Sequence, residues 1–81
     1  METRVAVISI IVENDQAVSE LNELLHRYGQ RIIGRLGIPY RVKNINIICV
    51  AVDAPVDEIN ALTGALGRIS GINAKATYSQ V

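Results

Sequence analysis

The stretch INIICVAV, Ile45 to Val52, is nearly unbroken in apolar residues. That is the pattern of a strand buried on both faces, not of one alternating between core and water. Working outward, RIIGRLGI (residues 31–38) precedes it across Pro39, and the amphipathic stretch APVDEINALTGALGRISG (54–71) follows, leading to INAKATYS (72–79). The first half repeats the plan: VAVISIIV (5–12), DQAVSELNELLHRYG (15–29), then RIIGRLGI. The halves divide near Pro39, each running strand, helix, shorter strand. The order βαββαβ is the split-βαβ, ferredoxin-like pattern. The expectation is an α+β sandwich: a four-stranded antiparallel sheet with two helices on one face. The continuously apolar strands 1 and 3 take its centre. Strands 2 and 4, which carry the charges and hydroxyls, take its edges.

In the first helix, Val18, Leu21, Leu25 and Tyr28 form one stripe, with Asn14 or Asp15 to cap it and Gly29 to end it in a left-handed conformation. The second repeats the spacing at Ile59, Leu62, Leu66 and Ile69. Pro55 suits its first turn, Asp57 and Glu58 suit the positive end of its dipole, and Arg68 suits the other. Gly64 and Gly67 each cost about 1 kcal/mol against alanine within a helix. They read as permitting close packing on the sheet or on a neighbour.

The chain reads as one domain over residues 1–81. A chain this short buries only about 60–65% of its unfolded surface, so it is marginal without a rich core. Its 49% hydrophobic content, with no Trp or Phe, is rich: either the core is unusually complete or some apolar surface is left for a partner. Eight basic and eight acidic residues cancel, so no global field draws nucleic acid or membrane. The apolar run Val5–Val12 is far below the roughly 20 residues that cross a bilayer. A cytoplasmic protein without membrane contact is expected.

Two helices cover only one face of a four-stranded sheet. In strand 1, Ala6, Ile8, Ile10 and Val12 oppose Val5, Val7, Ser9 and Ile11. In strand 3, Ile48, Val50 and Val52 oppose Ile45, Ile47, Cys49 and Ala51. Both faces are apolar in both strands, and contiguous exposed apolar area marks an interface. The expectation is a homo-oligomer, dimer or tetramer, joined through Val5, Val7, Ile11, Ile45, Ile47 and Cys49.

Residues that carry chemistry are few. Cys49 is the only cysteine and His26 the only histidine, so neither has the companions that a nucleophile or metal ligand needs. Cys49 reads as a small buried hydrophobe, His26 as a solvated helix residue. No metal, cofactor or nucleophile–base pair is called for, and an enzyme is not expected. Arg27, Arg31, Arg35, Arg41 and Lys43 occur with no acid between Glu23 and Asp53. They suit an anionic ligand, a charged edge strand, or a neighbour's Glu13, Glu20 or Glu23. With no helix-turn-helix or basic helix, direct nucleic-acid binding ranks below these. In strand 2, Gly34 reads as a bulge or a site of close approach. Gly37 with Ile38-Pro39 reads as the end of pairing.

METRVAVISIIVEN (1–14), LNELLHRYGQRIIGRLGIPYR (21–41) and INIICVAVDAP (45–55) together resemble the iron-only hydrogenase system regulators, small ACT-like ferredoxin-fold proteins. IIGRLGIPY (32–40) is the most specific part. The resemblance implies a regulatory role alongside iron-only hydrogenase maturation in anaerobic bacteria. ACT domains generally bind amino acids near a loop after strand 1 that often carries glycine, and VENDQAV here has none. Nickel-responsive repressors of similar fold use histidines on strand 2, where this chain has Gly37 and Pro39. A small effector at a subunit interface is expected to meet Arg31, Gly34, Arg35 and Gly37. The alternative is an assembly module that joins itself or a protein partner and binds no small molecule.

Overall fold

The computed structural model describes residues 2–80. Strand β1 (Arg4–Val12) leads through a 3-10 turn (Asp15–Ala17) to helix α1 (Val18–Arg27). A second 3-10 turn (Gly29–Arg31) opens β2 (Ile32–Tyr40), and a hairpin returns as β3 (Ile45–Ala54). Helix α2 (Val56–Gly67) and β4 (Ile72–Tyr78) complete the order βαββαβ. The sheet runs β2-β3-β1-β4 with every pairing antiparallel. This is the ferredoxin-like α+β fold, with the two apolar strands in the middle.

The alternation read from the sequence is the one the structure adopts. Ala6, Ile8, Ile10 and Val12 of β1 and Ile48, Val50, Val52 and Ala54 of β3 point to the helices and are buried. Against them pack Leu21 and Leu25 of α1, and Ile59, Leu62 and Leu66 of α2 with Ile69 just beyond it. Cross-strand pairs such as Ile8 with Val50 and Ile10 with Ile48 fix the register, because a slip of one residue would turn this whole set toward water. No polar or charged side chain among the described residues is buried.

Two local expectations need correction. Asn14 caps the 3-10 turn rather than α1 itself, its Oδ1 accepting from the Gln16 N–H at 3.1 Å. Gly29 does not end α1 in a left-handed conformation; it starts the second 3-10 turn. The glycine that requires positive φ is Gly71, at φ 84. A Cβ there would lie 2.5 Å from Asn14 Cβ, and the Gly71 carbonyl accepts from Glu13 N at 2.7 Å. The chain entering β4 is thus pressed against the end of β1.

Strand β2 also runs further than expected. Pairing does not end at Gly37: Pro39 stands opposite Asn46 and Tyr40 opposite Ile45. An edge strand has only one neighbour, so a residue whose N–H would face outward loses no ladder bond to proline. The bulge expected near Gly34 is present, because the register steps from Ile32–Val52 to Gly34–Ala51 and leaves Ile33 as the extra residue.

Candidate functional site: the uncovered sheet face and its edge

The helices leave one sheet face bare, and its chemistry is divided. On the β2-β3-β1 side stand Leu36, Ile38 and Tyr40, then Ile45, Ile47, Cys49 and Ala51, then Val5, Val7 and Ile11. On the β4 side stand Asn73, Lys75 and Thr77, with Ser9 beside Lys75. The Ser9 hydroxyl donates to the Lys75 carbonyl at 3.3 Å. One half of the face is therefore an aliphatic patch and the other is polar. Asp53 and Lys75 are the charged residues whose register places them on this face, one beside Val5 and one beside Ser9.

Within the apolar half, Val5, Val7, Leu36, Ile38 and Tyr40 are exposed, while Ile11, Ile45, Ile47, Cys49 and Ala51 are half-buried. Sequence reasoning placed Val5, Val7, Ile11, Ile45, Ile47 and Cys49 together, and the structure brings them onto one surface. It missed Leu36, Ile38 and Tyr40. Their signal was the every-second-residue spacing in IIGRLGIPY, hidden by the bulge and by the reading of Pro39 as a stop. A shallow depression of about 360 Å³ lies between Val7, Gly34, Leu36, Cys49 and Ala51, with Arg35 on its border.

The four β2-region residues expected at an effector site do not converge. Gly34 lies opposite Ala51 and opens onto the bare face, with nothing within 4 Å of the place a Cβ would occupy. Gly37 lies opposite the buried Ile48, on the helix side. Arg35 also leaves on the helix side, where its Nη2 donates to Asn22 Oδ1 of α1 at 3.1 Å. Arg31 is not on the strand; it sits in the preceding turn and forks onto Glu58 of α2, Nε to Oε1 at 3.2 Å and Nη2 to Oε2 at 3.0 Å. Both arginines are held by the protomer's own helices.

Two further cavities combine polar and apolar lining. One, of about 260 Å³, lies at the base of the β2–β3 hairpin between Asp15, Tyr40, Arg41, Asn44 and Asn46. The other, of about 200 Å³, lies between α1 and α2. His26 is exposed on α1, and Cys49 is a half-buried thiol on the bare face. Among the described residues no three His, Cys, Asp or Glu side chains gather as metal ligands would. No helix there is long and apolar enough to cross a membrane.

No curated protein matches the chain. Among solved structures, uncharacterized protein TM1266 from Thermotoga maritima is similar over 98% of this chain and 100% of that one, at 36% identity and a TM-score of 0.93. The family resemblance read from IIGRLGIPY and its flanks is thus upheld across the fold. The matching family model covers residues 4–76, and the chain belongs to that family: "TM1266-like: Iron-only hydrogenase system regulator, putative".

Proposed function

We propose that this chain is a non-enzymatic regulatory protein of the iron-only hydrogenase system, acting as a homo-oligomer joined through its bare sheet face. The observation that carries the reading is the aliphatic patch of β2, β3 and β1, uncovered in the protomer. The total surface supports it. A compact monomer of 8.8 kDa exposes about 4,800 Å² by the usual scaling with mass. This protomer exposes 5385 Å². The surplus, about 600 Å², goes with an elongated protomer whose sheet face is left bare.

A small effector would enter at the joined subunits, where Gly34 leaves room beside the depression and Arg35 borders it. To serve an anionic ligand, Arg35 exchanges its bond to Asn22. The second reading, an assembly module with no small-molecule ligand, is favoured by the capture of Arg31 and Arg35 within the protomer.

Native mass spectrometry of gently purified protein tests both. An oligomer carrying extra mass per subunit or interface supports the effector-binding regulator, and the Arg35→Ala variant then loses that mass. A clean oligomer that gains none when offered metabolite extract supports the assembly module. A monomer at micromolar concentration overturns both.

A further inference from the structure

The most exposed large hydrophobic side chain among the described residues is neither in the sheet nor in a helix. It is Val42, 81% exposed, at the tip of the β2–β3 hairpin between Arg41 and Lys43. The tip has a defined shape: Asn44 N–H donates to the Arg41 carbonyl at 3.2 Å, and Asn44 takes φ 55, a left-handed value that asparagine tolerates. Neither Arg41 nor Lys43 has an ion-pair partner among the described residues. The result is an aliphatic knob between two cations, carried on a hairpin whose β2 side is exposed and whose β3 side is half-buried.

The helix layer carries a surface of the opposite kind. The groove of about 200 Å³ between α1 and α2 has Leu24, Ala65 and Ile69 for its apolar lining, and Glu20, Glu23 and Arg27 for its charged lining. Arg27 Nη2 is 3.2 Å from Glu23 Oε1, an exposed i,i+4 pair, whereas Glu20 has no partner among the described residues. Gly64 and Gly67 lie on the exposed side of α2, outside the lining of this groove. A Cβ at Gly67 would meet nothing within 4 Å, and one at Gly64 only Arg68 Nη1 at 3.9 Å. Their absence of side chains is therefore not required by packing on the sheet. It leaves helix backbone open to an approaching neighbour.

We propose that the Val42 tip of one copy seats in the α1–α2 groove of another, with Val42 over Leu24, Ala65 and Ile69 and with Arg41 and Lys43 beside Glu20 and Glu23. The contact is head-to-tail, joining two different patches, so it extends assembly beyond the pair formed by a self-complementary sheet face. It uses none of the sheet-face residues, so substitutions at the tip or in the groove test it without altering that interface. Being small, it gains strength mainly when copies are already joined, through effective concentration. Its charges make it salt-sensitive, whereas the sheet-face contact, being aliphatic, is not weakened by salt.

The experiment is a sedimentation-velocity concentration series of the full chain, at low salt and at about 1 M NaCl, where exposed charges are screened within about 3 Å. Low salt should reveal an association step that high salt removes. Val42→Asp and Glu20→Lys should each weaken that step about tenfold or more, with circular dichroism unchanged. Mixing Glu20→Lys with the Arg41→Glu/Lys43→Glu variant should recover it, because the charge-reversed tip then meets a charge-reversed groove. A step indifferent to Val42→Asp, or no recovery in the mixture, overturns the proposal. Loss of the salt-resistant step alone, with the salt-sensitive one intact, would instead count against the sheet face.

Discussion

Arg31 and Glu58 meet 27 positions apart in the chain and tie the turn before β2 to the first turn of α2. Their side chains are 39% and 36% exposed, so solvent screens much of the attraction. The forked geometry still ranks above a loose surface pair, at about 0.5–1 kcal/mol. Arg31→Ala should lower the melting temperature by a few degrees, and a double-mutant cycle with Glu58→Gln should show that most of the loss is shared between them. Additive losses would mean that the pair contributes nothing as a pair. Gly71 is the sharper case. Gly71→Ala forces a Cβ to 2.5 Å from Asn14 Cβ at a backbone angle that side chains avoid. It should destabilise by about 2 kcal/mol or more, measured by urea unfolding. Neither feature was legible in the sequence. Each depends on two distant segments meeting, and a lone arginine or a lone glycine carries no mark of its partner.

At the scale of elements, much more was legible. Period-two alternation in VAVISIIV and INIICVAV placed each buried residue on the correct face, because a strand between two neighbours has no freedom to do otherwise. The stripe Ile59, Leu62, Leu66, Ile69 was found in the same way, through the 3.6-residue period. β2 was the weak reading. A bulge shifts its period at Ile33, and an edge strand tolerates a proline that a central strand rejects. The glycines of α2 were read as aids to close packing, and the sheet does not need them. Gly64→Ala should therefore stabilise the isolated protomer, by up to about 1 kcal/mol from helix propensity alone. Chemical denaturation at low protein concentration checks the gain. Gly64 lies outside the α1–α2 groove, so the same variant should leave the salt-sensitive association unchanged.

The whole molecule measures 41 × 19 × 17 Å, a long shape for so short a chain. The β2–β3 hairpin adds to its exposed surface, because no residue of β2 is buried. The division of the bare face then sets where a partner sits. Ile47→Glu, in the aliphatic half, should break the sheet-face oligomer and leave a folded protomer, since Ile47 is not part of the core. Thr77→Glu, on the polar β4 side, should leave the assembly intact. Light scattering behind a sizing column separates the two outcomes. Equal effects of both substitutions would show that the contact does not follow the apolar half. The site as a whole was only partly legible, because which strands lie beside each other on the face depends on topology, while which residues repel water does not.

No residue of β2 is buried, although the strand is nine residues long and pairs along β3 at every position but the bulged Ile33. Its backbone hydrogen bonds are therefore shielded by very little. In the separate protomer, the amides that bond to β3 from this strand should exchange with solvent through local opening, well before those of the β3-β1 ladder, which open only when the core does. Once a second copy covers Leu36, Ile38 and Tyr40, the same amides become as slow as the centre of the sheet. Hydrogen exchange along β2 is thus a built-in gauge of assembly, and its protection should rise with protein concentration while that of β1 stays constant.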